Sequence, residues 1–142
     1  MPEMSRKKKI SMVILILFLC LPVFLASNWG LGMMEDIALS HAPADWAASF
    51  DMGIADFYGM TMRSDEQKAV CQRFLEKFPA PNSKRGYAAY TIAVCVERTV
   101  GLTDTHSREA YEKFLDDYED DPFSQEYVVE AKKALVRLGQ KY

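Results

Sequence analysis

The chain repeats itself with a period of 40 residues. The segment 70–78, Val-Cys-Gln-Arg-Phe-Leu-Glu-Lys-Phe, returns at 110–118 as Ala-Tyr-Glu-Lys-Phe-Leu-Asp-Asp-Tyr. The same offset pairs Phe50 with Tyr90, so an aromatic residue recurs outside the copied segment as well. Amphipathic helices of equal length also resemble one another by composition, but this many matches in one register favour an internal duplication. A helical repeat of this period predicts stacked helix pairs, which expose a large surface for binding.

Helix breakers divide the repeat region at regular intervals. Gly59, Pro79, Gly101 and Pro122 lie 20 to 22 residues apart, and each follows a run of good helix formers. Between them, apolar residues recur every three or four positions, as a helix with one buried face requires. The pattern predicts five helices, over residues 44–58, 65–78, 84–100, 107–119 and 124–138.

Two details of these predicted helices can be tested directly. The largest side chains of the first helix are expected to face inward: Trp46, Phe50, Ile54 and Phe57, with Gly53 between them. The second helix is expected to open with a capping box, because Gln67 follows Ser64 at the required spacing.

The amino terminus has the pattern of a membrane-directed segment. Residues 1–9 include four consecutive basic side chains, and residues 10–26 are uncharged and almost wholly apolar. Seventeen helical residues extend roughly 25 Å, the short end of what spans a bilayer core. The segment is either a signal peptide or an uncleaved anchor, and Phe24 and Leu25 make a poor cleavage site, which favours the anchor. Lipidation of Cys20 is a weaker alternative, since Phe18 and Leu19 before it are not small.

Charge placement predicts the orientation of the chain. After Lys9 no Lys or Arg occurs until Arg63, and positive flanks stay on the cytoplasmic side of a membrane. We therefore expect a single-pass protein of the cytoplasmic (inner) membrane with a linker over 27–43 and a helical domain over 44–142. In a bacterium this domain would face the periplasm.

The soluble part has too little positive charge for a nucleic-acid-binding protein. Beyond residue 9 it carries 13 basic and 19 acidic side chains, a net charge of −6. Phosphate backbones are bound by clustered Lys and Arg, which this region lacks.

The repeat resembles the tetratricopeptide repeat family, and in particular its envelope branch in outer-membrane assembly lipoproteins and the Tol-Pal division-coordinating protein. In the second repeat Ala110, Phe114 and Pro122 match the family's pattern, and Ala93 matches its first-helix small residue. In the first repeat the matching residues are Gly53, Phe74, Phe78 and Pro79. The resemblance covers residues 44–139 and implies an antiparallel helix-pair solenoid of about two and a half repeats.

The resemblance also implies a protein-binding groove lined by the first helix of each repeat. By their place on the outward faces, the candidates for protein binding are Asp51, Tyr58, Tyr87, Glu97 and Arg98. Tyr and Arg are frequent anchors of interfaces. Since Tyr87 shares its register with Tyr127, a core role for it is an equally good interpretation.

Catalytic and metal-binding patterns are thin. His41 and His106 have no Cys, Asp or Glu at ligand spacing, and the acidic run 116–121 lacks the glycine and spaced ligands of a calcium loop. We therefore predict no enzyme activity, no cofactor and no metal. Cys71 and Cys95 could form a disulfide, but in a hairpin about Pro81 they lie about one turn, ~5 Å, out of register, so buried thiols are favoured.

The sequence as a whole predicts a membrane-tethered scaffold or assembly factor that binds other envelope proteins without catalysis. The alternative is a small accessory subunit of a larger membrane-bound enzyme complex. Self-association or an obligate complex is expected to supplement the short repeat array.

Overall fold

A computed structural model describes residues 6–101 and 105–139. Within these ranges every regular element is a helix, as the sequence predicted. The helices are α1 (Arg6–Leu25), α2 (Asn28–Ser40), α3 (Asp45–Met60), α4 (Ser64–Lys77), α5 (Arg85–Val100), α6 (Thr105–Tyr118) and α7 (Gln125–Gly139).

The sequence repeat corresponds to a repeat of helices. The starts of α3, α5 and α7 are 40 residues apart, at Asp45, Arg85 and Gln125. Those of α4 and α6, at Ser64 and Thr105, are separated by 41. All five helices begin within two residues of the predicted positions. Consequently, residues one period apart occupy equivalent places in helices of nearly equal length.

The chain divides into two compact units, Met1–Asp36 and Ile37–Tyr142. The boundary between the units falls inside α2, between Asp36 and Ile37. The sequence instead predicted a linker that ends at Pro43. Most of the segment 27–43 is helical, because good helix formers continue through its apolar part and no proline interrupts them before Pro43.

The amino-terminal unit contains the basic and apolar segment. Among the described residues, no single helix has the length and hydropathy of a membrane span. Ile14–Phe24 and Asn28–Ser40 together satisfy those criteria, but they are bent by 74°. The membrane anchor thus stays a prediction.

In the second unit, each helix from α3 onward packs mainly against the next along the chain. Phe74 and Phe78 stack with ring centroids 4.6 Å apart and are fully buried, each contributing about 1.5–3 kcal/mol by burial. A second part of the core joins α5, α6 and α7 around Ala93, Tyr111, Phe114, Val128, Ala131, Ala134 and Leu138.

The face that α3 buries is not the predicted one. Trp46 and Phe50 are 53% and 40% exposed, whereas Ala47, Ala48 and Ala55 are buried. Small side chains let helix backbones approach closely, and they recur at the same register, since Ala88 in α5 is buried as well. Ile54 is buried as predicted, but the prediction was wrong for Trp46 and Phe50, because it assigned the largest apolar residues to the core.

The predicted capping box is also wrong. Ser64 already lies inside α4, and its N-cap residue, Arg63, makes no side-chain capping bond. Gln67 instead points inward, where its Oε1 accepts a bond from the Cys95 thiol at 3.3 Å. Gln67 also lies over Gly59, where a Cβ would be 2.5 Å from its Nε2. The glutamine therefore links α4 to α5 and packs against α3.

Candidate protein-binding face

Three half-buried tyrosines form a continuous aromatic row across α5 and α7. The ring of Tyr127 lies 5.3 Å from that of Tyr87 and 5.5 Å from that of Tyr90, the second pair being stacked. Tyr90 continues inward to Phe114, 5.7 Å away. We call Tyr87, Tyr90 and Tyr127 the tyrosine row. Its rings are fixed by the core on one side and reach solvent on the other.

A hydrogen bond ties the tyrosine row to α3. The Tyr87 hydroxyl donates a hydrogen bond to Oδ1 of Asp56, which lies on α3. The row and this bond thus connect α3, α5 and α7. In the predicted repeats these three are the first helices, where the family resemblance implies a binding groove.

Glu97 organises the other end of α5. Its Oε2 accepts a hydrogen bond from the Tyr111 hydroxyl at 2.6 Å, and its Oε1 accepts one from Nη2 of Arg137 at 2.6 Å. The Glu97 side chain is only 14% exposed, whereas that of Arg137 is 56% exposed. Glu97 therefore joins α5 to both α6 and α7, and its carboxylate is occupied by contacts within the fold.

The environment keeps these phenols protonated. Burial, followed by the hydrogen bond to Asp56, raises the pKa of Tyr87, and burial followed by the bond to Glu97 raises the pKa of Tyr111. Burial also raises the pKa of Tyr90 and of Tyr127, with nearby carboxylates adding to it. At neutral pH the tyrosines of the row are therefore hydrogen-bonding and stacking groups, not phenolate bases or nucleophiles.

The five predicted binding residues do not form one surface. Asp51 and Tyr58 are buried, so their assignment to an outward face is wrong; the rotation of α3 about its axis turns them inward. Tyr87 is half-buried in the tyrosine row and Glu97 is engaged as described. Arg98 is exposed and lies 11 residues, about three turns, beyond Tyr87 on one face of α5.

Tyr90 and Tyr127 were not among the predicted binding residues, yet both are half-buried and pack against the core with one side exposed. The available signal was their spacing: Tyr87 and Tyr127 are one period apart, so they occupy the same place on equivalent helices. Aromatic residues repeated at the repeat period on adjacent helices are expected to meet side by side.

An open groove lies on another part of the second unit, between α4 and α6. Its volume is about 520 Å³. Ala89 and Ile92 of α5 contribute to its lining, with Leu75 and Phe114 beside them and Asp117 among its charged residues. The mixed polar and apolar lining provides a second surface that a partner could contact.

The described residues contain no group of three or more His, Cys, Asp or Glu side chains able to hold a metal ion. Nδ1 of His41 is 2.8 Å from the Ile37 carbonyl oxygen, at the end of α2. Within the acidic run, Asp121 accepts a bond from the Ser124 hydroxyl, and Glu119 accepts one from Lys132. Both of these acids therefore stabilise the turn into α7.

No disulfide joins Cys71 and Cys95, which are both buried. Burial raises the pKa of the Cys95 thiol, which favours the protonated, unreactive form. Cys20, the residue considered for lipidation, lies in α1 with an exposed side chain.

Comparison with known proteins finds no relatives: no protein-family model, curated protein or solved structure matches this chain.

Proposed function

We propose that this protein is a non-catalytic, membrane-tethered interaction module. In this proposal α3 to α7 form a short tetratricopeptide-like solenoid on the far side of the cytoplasmic membrane, held there by residues 10–26. The observation that carries the binding role is the tyrosine row, because it presents three pre-positioned aromatic rings across equivalent helices.

Several properties of the row suit a protein partner. Tyrosine supplies a large apolar ring and a hydroxyl at low entropic cost, and it is enriched at interfaces. The rings are held by each other and by Asp56, so little ordering is required on binding. Arg98 on α5 and Glu130 on α7 add exposed charges of both signs. An extended segment of another envelope protein, with apolar and charged side chains, fits such a face.

The alternative proposal is that the chain is a permanent accessory subunit of a membrane-bound enzyme complex. The observation that favours it is the number of large apolar side chains exposed in both compact units, including Val23 in the first and Trp46 in the second. Large exposed apolar areas mark interaction sites.

Site-specific photocrosslinking of the full chain in its native membranes tests the proposal. A photoreactive residue at Arg98 or Glu130 is expected to capture a partner protein, identified by mass spectrometry. The matched control is Glu112, an exposed helical residue on α6. Capture at Glu112 as strong as at Arg98, or no capture at either Arg98 or Glu130, would refute the binding face.

The same experiment separates the two proposals by stoichiometry. An interaction module should be recovered with substoichiometric envelope proteins, whereas an accessory subunit should be recovered at a fixed ratio with the subunits of one enzyme. The peptide covering residues 9–27, if recovered intact from the membrane fraction, would establish that the anchor is retained.

A further inference from the structure

One face of α3 is apolar and exposed along its whole length. It consists of Trp46, Phe50, Gly53, Phe57 and Met60, spaced four, three, four and three residues apart, which places them in one line on a helix. Trp46, Phe50 and Met60 are 53%, 40% and 76% exposed, Phe57 is half-buried, and Gly53 is exposed. We call this line the α3 stripe.

In α5, part of the equivalent face is covered by the core. One period later, the positions equivalent to Phe50 and Gly53 are Tyr90 and Ala93, on α5. Tyr90 and Ala93 pack into the core with Tyr111 and Phe114 of α6. Within the second unit, the ring of His41 lies 5.1 Å from that of Trp46, and the rest of the α3 stripe stays exposed or half-buried.

We propose that the α3 stripe binds the α3 stripe of a second copy of this chain, with the two helices antiparallel about a two-fold axis at Gly53. The stripe is nearly symmetric about that residue, since Trp46 and Met60 are each seven positions from it and Phe50 and Phe57 are three and four positions from it. Antiparallel pairing therefore places Trp46 on Met60 of the second copy and Phe50 on Phe57 of the second copy. A self-complementary patch is the requirement for a closed two-fold dimer.

Gly53 fits the centre of such a crossing. A Cβ built at Gly53 meets no atom within 4 Å, so the backbone is open to an approaching helix. Glycine is the residue that allows the closest approach of two backbones. The flanking aromatic rings then pack on either side of the contact.

Charge favours the antiparallel orientation. Asp45 is exposed at the start of α3, and Arg63 lies just beyond its end, with its guanidinium over the Tyr58 ring and its Nε 3.5 Å from Oε1 of Glu66. An antiparallel pair brings Asp45 near Arg63 of the second copy and opposes the two helix dipoles. A parallel pair would instead place the two Asp45 carboxylates together.

The same charges disfavour a lipid surface as the occupant. Interfacial helices carry Lys and Arg on their polar faces, which bind anionic headgroups. The described α3 carries three aspartates and no basic residue. Of these aspartates Asp45 is exposed, and an uncharged stripe on a helix without Lys or Arg is better matched by a second protein than by an anionic membrane.

The area is sufficient to contribute to a stable contact. From the exposed fractions of its large side chains, the α3 stripe offers roughly 400 Å² per copy. A standard interface buries about 800 Å² per partner, more than half of it apolar. The stripe can therefore supply most of the apolar centre of such a dimer.

Sedimentation of the full chain in a mild detergent, over a range of concentrations, tests this proposal. The informative variant is Gly53→Leu, which blocks the crossing while remaining compatible with the fold, because the site is open and leucine is the better helix former. The matched control is Val129→Leu, which adds bulk to an exposed position of α7. We expect a dimer for the wild-type chain and for Val129→Leu, and at least a tenfold weaker dimer for Gly53→Leu, with unchanged helix content.

Crosslinking supplies a second readout of the same geometry. In a Cys20→Ser background, Gly53→Cys places the introduced thiols beside the two-fold axis, and mild oxidation should link two copies. Val129→Cys should give no such product.

Three results would overturn the proposal: a wild-type chain that stays monomeric, a dimer that survives Gly53→Leu, or equal crosslinking through Val129→Cys. The second would assign the dimer to another segment, such as residues 10–26. A monomer that binds anionic vesicles through Phe50, shown by loss of binding in Phe50→Glu, would assign the stripe to lipid. None of the variants alters Arg98 or Tyr127, so failure here leaves the proposed partner-binding role to its own test.

Discussion

Gly86 gives the sharpest test of how α5 packs against the start of α7. It lies in the first turn of α5 and is buried. A Cβ at this position would be 1.7 Å from Oγ and 2.7 Å from Cβ of Ser124, the fully buried residue just before α7. Both distances are shorter than any normal contact, and the Ser124 Cβ cannot move without the backbone. Gly86→Ala must therefore displace the beginning of α7.

The magnitude follows from opposing effects. Alanine is favoured over glycine in a helix by about 1 kcal/mol. Overpacking costs about 1–3 kcal/mol, and losing the hydrogen bond from Ser124 to the Asp121 carboxylate costs about 1.5–3 kcal/mol more. We expect Gly86→Ala to lower the free energy of unfolding by about 2 kcal/mol or more. For a domain of this size that corresponds to a decrease in Tm of roughly 8–16 °C.

Gly53→Ala is the matched control, because it makes the same substitution in the equivalent type of helix where no atom lies within 4 Å. It should stabilise the fold by about 1 kcal/mol. Thermal unfolding of both variants, followed by far-UV circular dichroism at low protein concentration, measures the difference without a contribution from self-association. If Gly86→Ala is as stabilising as Gly53→Ala, the described contact between α5 and Ser124 is wrong.

Three further predictions concern polar contacts. In urea unfolding, Tyr111→Phe should lower the free energy of unfolding by about 1.5–3 kcal/mol, because it leaves Glu97 without its buried donor. Arg137→Ala should lower it by less than about 1 kcal/mol, because that arginine is mostly exposed. Equal losses in the two variants would contradict the different roles of the two donors. Arg85→Met should cost about 1.5–3 kcal/mol by the same assay, since it keeps the apolar stem but removes Nη1, which donates to the carbonyls of Leu75 and Phe78 at the end of α4; no loss of stability would show that these two bonds contribute nothing. Folding raises the pKa of Tyr111, so its phenol contributes its full stabilisation below the unfolded pKa of about 10. The free energy of unfolding should therefore fall as the pH rises above that value, and it should fall less in Tyr111→Phe. An identical alkaline profile in the two proteins would exclude Tyr111 as a source of the pH dependence.

The 40-residue period was sufficient to predict the helices of the repeat region. Breakers such as Pro79 and Gly101 end helices for local reasons, so they can be recognised without knowledge of the fold. Gly101, for example, has φ of 88°, a conformation that favours glycine, and its N–H bonds to the Glu97 carbonyl oxygen. Local effects of this kind can be recognised from the sequence alone.

The orientation of each helix was harder to predict, because it depends on what the neighbouring helices offer. In α3 the sequence has two candidate faces, one with Trp46 and Phe50 and one with small residues such as Ala48 and Ala55. Hydrophobicity favours the first, but close packing against α4 selects the second. The error in the binding residues follows directly, since rotating α3 turns Asp51 and Tyr58 inward. Tyr87 and Arg98 lie on α5, whose orientation is fixed by packing against α4 on one side and α6 on the other.

The two ends of the repeat differ in a way that bears on both proposals. A terminal element of a repeat array needs a polar outer face to remain soluble alone. The exposed positions of α7 include Glu126, Lys132 and Lys133, which meet that need, although Val129 and Val136 lie among them. At the other end, α3 exposes a tryptophan and a phenylalanine on one face. The two proposals are therefore compatible, since a contact that covers α3 would leave the tyrosine row of α5 and α7 available to a different protein.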